Sequence, residues 1–126
     1  LQVTELEPVS LPQNPSEKEI AAALEKEGAE LLKRAKGFCI AMCIEGKQLD
    51  STGLAKKLEQ AAQGGENGAV TFLIGSSYGL ADAVKQRANL RLSMSAMTFP
   101  HQLARVMLLE QIYRSYQILS GTKYHK

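Results

Sequence analysis

Chemistry-bearing residues are scarce in this chain, and their scarcity removes several functions at once. Of its 126 residues only two are cysteine and two histidine. Cys39 and Cys43 share one apolar stretch, too far apart along a strand to bridge each other. No second cysteine pair and no nearby histidine completes a zinc site, so two buried thiols in a reducing cytosol is the plainer reading, and no metal is expected. His101 and His125 are not arranged as H-E-x-x-H, which removes the familiar metal-hydrolase pattern. G-x-G-x-x-G after a strand, G-x-x-x-x-G-K-[ST] and G-x-S-x-G are all missing, so ordinary dinucleotide, P-loop and hydrolase-elbow readings lack support. No apolar run approaches a membrane span. No secretory leader is legible, but the chain begins at Leu1 and not at Met, so targeting from this end stays open.

What is present is ordinary globular material: 44% hydrophobic and 22% charged residues, enough for one domain with one core. The net charge of +2 is unevenly spread. Residues 1–63 hold 8 Lys/Arg against 10 Asp/Glu, whereas residues 64–126 hold 7 against 3. A basic second half suits an anionic partner such as RNA, although scattered surface cations are commonly just solvated.

The pattern along the chain alternates strands and helices. Leu1 to Glu7 reads as a strand, ended by Pro8, Pro12 and Pro15. Ser16 and Glu19 fit a capping box, followed by Ile20, Leu24, Gly28, Leu31, Leu32 and Ala35 at helical spacing, with Gly37 as the stop. Phe38 to Ile44 is apolar on both faces, as a strand covered by helices on both sides must be. Ser51 is placed to cap a helix carrying Leu54, Leu58, Ala61 and Ala62, ended by Gly64 and Gly65. Ala69 to Ile74 is a second two-sided strand, and Leu80 to Ala88 a short helix. Leu90 to Met94 forms a third strand. Pro100 suits the first turn of a helix reaching about Leu119, with Leu103, Val106, Met107, Glu110, Tyr113 and Tyr116 at helical spacing. This alternation predicts an α/β fold with a parallel sheet flanked by helices. Ligands of such open sheets bind beyond the carboxyl ends of the strands, which nominates Glu45 to Lys47, Gly75 to Gly79 and Ser95 to Pro100.

Within those loops, Gly75 either lets a ligand approach the backbone or simply makes a tight turn, and the residues alone favour the turn. The stretch Ser95-Ala96-Met97-Thr98-Phe99 offers small and polar residues around two apolar side chains. It could wrap an adenine, or Met97 and Phe99 could plug the core. Glu110 is placed to pair with Arg114 at i,i+4. Tyr113 and Tyr116 read as packing residues of a helix face or of a dimer interface. His125 sits in a short polar tail between Tyr124 and Lys126, of the kind usually disordered.

The last third of the chain resembles a known family. M-T-F-P-H-Q at Met97 to Gln102, L-E-Q-I-Y-R at Leu109 to Arg114 and Y-H-K at Tyr124 to Lys126 are similar to the carboxyl end of the RlmH family. The match extends upstream through FLIGSSYGL (Phe72 to Leu80) and I-E-G-K (Ile44 to Lys47), in order and over essentially the whole chain. The resemblance implies a SPOUT methyltransferase with a carboxyl-terminal trefoil knot, a feature that periodicity does not show. It implies a homodimer and S-adenosylmethionine (SAM) as methyl donor. The implied target is N3 of a pseudouridine in large-subunit (23S) ribosomal RNA within assembled ribosomes in the cytoplasm, with no membrane involved. Carried over by motif, the SAM-contacting positions are Met42, Gly75, Met94, Ser95, Ala96, Met97, Thr98 and Phe99. Family members usually have a second glycine where this chain has Ser76, which would narrow the pocket or hydrogen-bond instead. They also carry an amino-terminal strand and helix ahead of the segment that begins at Leu1, so residues 1–126 are expected to form a single SPOUT domain lacking those two elements.

Methyl transfer from a sulfonium requires alignment with the attacking nitrogen, exclusion of water and loss of the nitrogen's proton. The resemblance places the tail near the site and makes His125, Tyr124 and Arg114 the catalytic candidates, with Arg105 and Lys126 also available for phosphates or a partner subunit. His101 is expected to shape its loop. A non-catalytic RNA- or ribosome-binding module, another kind of nucleotide-binding α/β enzyme, and a SPOUT enzyme acting on tRNA are the alternatives.

Overall fold

The computed structural model describes residues 2–64, 66–123 and 125. Helix α1 (Glu17–Arg34) opens on the expected capping box: Ser16 Oγ accepts from the Glu19 N–H at 3.1 Å, and Glu19 Oε1 accepts from the Ser16 N–H at 3.0 Å. Strand β1 (Phe38–Gln48) follows, then α2 (Ser51–Ala62), β2 (Val70–Leu73), the short α3 (Asp82–Arg87), β3 (Leu90–Ser93) and α4 (His101–Leu119). All three strands are parallel, in the order β2-β1-β3.

The central strand explains the three layers. Successive side chains of β1 point to opposite faces. Cys39 and Ala41 pack with Leu73, Leu80 and Val84, backed by Leu31 and Leu32 of α1. Ile40 packs with Leu54, Leu58 and Leu92, and Phe38 and Met42 join that side. The sheet is thus covered by α1 and α3 on one face and by α2 on the other. Helix α4 lies on α2 through buried Leu108 and Ile112, and the Ser51 hydroxyl donates to Gln111 Oε1 at 2.7 Å.

Four expectations change. Residues 2–7 form no strand. The segment is held by side chains instead of a backbone ladder: the Val9 N–H donates to Glu27 Oε2, and Glu5 pairs with Arg105. Second, α2 is capped by Asp50, not Ser51; its carboxylate accepts the Gly53 N–H at 2.7 Å. A charged acceptor at the positive end of a helix is the stronger cap, and that bond is the first cause of the depressed Asp50 pKa. Third, the anticipated loop at 45–47 is part of β1. A Cβ on Gly46 would lie 2.7 Å from the Arg91 carbonyl, so only glycine lets β1 pass this close to β3 and resume pairing at Lys47. Fourth, α4 buries Leu108, Ile112 and Ser115, whereas Leu103, Val106, Tyr113 and Tyr116 of the anticipated stripe are exposed. Neither cysteine is in a disulfide; Cys39 is buried and Cys43 only partly so, and desolvation, then the Glu45 charge, raises the Cys43 thiol.

Candidate active site

The strand register assembles one edge of the sheet. Leu73 of β2 is level with Ala41, and Leu92 of β3 is level with Met42. Gly75 and Met94 each lie two residues further on, so both loops leave the sheet beside Met42. The resemblance implies Met42 at the end of its strand; β1 instead runs on to Gln48, and Met42 lies where pairing with β3 changes register. That irregularity interrupts the ladder between the two outgoing loops.

The loop after β2 is a tight turn. The Gly79 N–H donates to the Ser76 carbonyl at 2.9 Å, and a Cβ on Gly75 would come within 2.3 Å of the Gly79 oxygen. The tight turn by itself requires glycine at 75, since any side chain there must displace backbone. Ser76 does not hang free, because its hydroxyl donates to Glu27 Oε1 of α1 at 2.9 Å.

The loop after β3 is organised by two serines. Ser93 Oγ donates to the Ser95 carbonyl at 2.9 Å, and Ser95 Oγ accepts the Met97 N–H at 3.0 Å. Met94, Ser95 and Phe99 are half-buried, whereas Ala96, Met97 and Thr98 are exposed. Met97 is 72% exposed and does not plug the core.

A polar chain runs along α4 to the tail. Arg114 donates through Nε to Glu110 Oε1 at 2.9 Å and through Nη1 to His125 Nδ1 at 3.1 Å. The i,i+4 pair anticipated from spacing is thus present, and it holds the guanidinium against the tail. Tyr124 and Lys126 lie outside the described residues. Arg105 is engaged with Glu5 at 3.3 Å, and His101 is the exposed first residue of α4. Near the same edge Lys85 of α3 pairs with Glu45 of β1. The hydrogen bond between them, as first cause, lowers the Glu45 carboxyl and raises the Lys85 ammonium.

Two clefts lie elsewhere. One of about 350 Å³ is lined by Phe38, Lys57, Gln60 and Asn89 at the amino ends of the strands; another of about 580 Å³ lies between residues 9–12 and α1. Glu27 and the Glu45–Lys85 pair were not singled out in the sequence. Glu27 belongs to an ordinary charged helix face, and its two partners are 18 and 49 residues away.

A parallel three-stranded sheet between helices, with two structured loops leaving one carboxyl edge, is an α/β arrangement of the class whose ligands bind at that edge. The comparison with known proteins narrows the class. The family model described as "Predicted SPOUT methyltransferase" matches residues 1–125. The "Ribosomal RNA large subunit methyltransferase H" of Clostridioides difficile (strain 630) is 47% identical over 128 aligned positions, covering 100% of this chain and 80% of the relative. The protein of the same name from Streptococcus thermophilus (strain ATCC BAA-491 / LMD-9) is 48% identical over 124, covering 97% and 77%. The chain belongs to the SPOUT methyltransferase family, and it is a methyltransferase. No helix among the described residues is long and apolar enough to cross a membrane.

Proposed function

We propose that this chain transfers a methyl group from SAM to N3 of a pseudouridine in large-subunit ribosomal RNA, on the assembled ribosome in the cytoplasm. A homodimer, and a single SPOUT domain over 1–126 with a carboxyl-terminal trefoil knot, belong to the same reading. One observation carries it: the strand register brings the loops after β2 and β3 out beside Met42 at one sheet edge, in a chain 47% and 48% identical over nearly its whole length to two proteins named as rRNA methyltransferases.

Met42, Gly75 and Met94 to Phe99 are the donor-binding residues in this reading. They suit an adenosyl group. Residues 94–99 carry no charged side chain, Ser93 and Ser95 hold the backbone in a defined turn, and Met97 stands out into solvent as an apolar cover. When bound, SAM supplies an electrophilic methyl on a sulfonium. The chain's own residues then orient the base and stabilise the anion that forms as N3 gives up its proton to solvent.

The contact between His125 and Arg114 supports a part for His125 in this reading. Guanidinium donates and never accepts. With Arg114 Nη1 against Nδ1, that ring nitrogen is the acceptor, so the neutral imidazole carries its proton on Nε2. His125 in this tautomer presents its Nε2–H as a hydrogen-bond donor. Its role is to donate to a carbonyl flanking N3 as that nitrogen loses its proton, stabilising the charge spread onto oxygen. Tyr124 stacks or orients the base. The exposed Leu103, Val106, Tyr113 and Tyr116 on α4 support the homodimer, since so large an apolar stripe is costly in water.

The test is methyl transfer from labelled SAM to ribosomes lacking the modification, with naked rRNA and tRNA in parallel. Label in ribosomal pseudouridine is expected. Label in tRNA alone moves the substrate within the family, and SAM binding without transfer to any RNA overturns the rRNA assignment.

A further inference from the structure

Resting on the reading of Gly75 as part of the donor site, we infer that Glu27 is a positioning residue for that loop, acting through Ser76. Glu27 is on α1, which packs against α3 just beyond the loop. Its carboxylate is used at both oxygens: Oε1 accepts from the Ser76 hydroxyl at 2.9 Å, and Oε2 accepts from the Val9 N–H at 3.0 Å. Three segments distant in sequence therefore meet on one side chain.

Ser76 is the first residue of the turn closed by the Gly79 N–H, and it directly follows Gly75. Gly75 has no side chain through which the loop could be anchored, and its backbone lies against the Gly79 carbonyl. The Ser76 hydroxyl is the side-chain handle on this turn, and Glu27 grips it. A hydrogen bond to a charged acceptor is stronger than one between neutral groups, so the carboxylate holds the loop that a second glycine would leave to its backbone alone. The contacts of Glu27 are with Ser76 and Val9, so its action on the site runs through the loop. It sets where the Gly75 backbone stands, and the Val9 bond keeps the carboxylate itself from turning away.

The prediction concerns donor affinity more than turnover. Ser76→Ala and Glu27→Ala should each raise the Kd for SAM by about 3- to 10-fold, the loss of one charge-assisted hydrogen bond. At saturating SAM, kcat should stay within about twofold, as expected when an interaction common to ground and transition state is lost. The double variant should be no weaker than Glu27→Ala alone, because both substitutions remove the same Ser76–Glu27 contact. Glu27→Gln should restore most of the affinity, since its amide N–H can donate to Ser76 Oγ while its carbonyl accepts from Val9. The experiment is calorimetric titration of SAM into the purified full chain and these four variants, below their melting temperatures, followed by single-turnover methylation. Fully additive losses in the double variant overturn the inference, as does Ser76→Ala binding SAM like the parent, or a stability loss with unchanged Kd. If the parent itself does not bind SAM, the donor-site reading falls and takes this inference with it; a parent that binds while the variants bind equally overturns the inference alone.

Discussion

Arg114 holds Glu110 and His125 at once: its Nε is 2.9 Å from Glu110 Oε1 and its Nη1 is 3.1 Å from His125 Nδ1. A planar guanidinium is the side chain that spans two such partners in fixed directions. The relationship ties the tail to α4 by chemistry specific to arginine.

Arg114→Lys should accordingly uncouple the tail. A single ammonium on a flexible stem cannot keep both bonds in place. The methyl-transfer rate is expected to fall by about 10- to 100-fold, the scale of one or two hydrogen bonds to a charged group. SAM affinity should be nearly unchanged. Single-turnover kinetics beside a SAM titration separate the two; a parallel loss of SAM binding would place Arg114 in the donor pocket instead.

Deleting residues 124–126 should preserve SAM binding and abolish methylation. Full activity in the shortened chain would end the catalytic assignment of Tyr124 and His125.

Gly75→Ala places a methyl group where 2.3 Å separates it from the Gly79 oxygen. Backbone must shift to admit it, at a cost of about 1–3 kcal/mol by the usual scale of overpacking. SAM should bind more weakly as well. Denaturant unfolding and a SAM titration check both, and unaltered affinity in the folded variant would remove Gly75 from the site.

The Lys85–Glu45 pair makes a pH-dependent contribution to stability. Glu45 is held below its ordinary value of 4.5, so its share is present above that value and is lost as pH falls through the lowered one. Lys85 is held above 10.5, so its share is present below that value and is lost as pH rises through the raised one. The carboxylate is more than half exposed, which limits the pair to at most about 1 kcal/mol. Lys85→Met should narrow its stability gap to the parent once pH drops below the lowered Glu45 value. A gap that persists in strong acid would mean the lost side chain mattered through packing, not charge.

Ile40→Ala should cost about 2–5 kcal/mol, as deletion of a fully buried aliphatic side chain does. Equilibrium unfolding measures it, and a loss under 1 kcal/mol would show that the sheet layer collapses around the gap.

Local chemistry determined much of this protein without help from the fold. Phe38 to Ile44 and Ala69 to Ile74, apolar on both faces, required helices above and below the sheet, and that is where α1, α3 and α2 lie. The Ser16–Glu19 box and the Glu110–Arg114 spacing specified their hydrogen bonds within one helical turn. Motif order named the family. Tertiary structure alone decided what depends on distant segments. Strand β1 ran on through Gly46 because β3 lay close enough to pair again. The apolar positions of α4 divided between α2 and solvent, which a helix apolar on both sides cannot announce in its own spacing. Glu27 met Ser76 and Val9 only when α1 had docked. A side-chain hydrogen bond between residues tens of positions apart leaves no periodic trace in a sequence, because its geometry exists only after the backbone has closed around it.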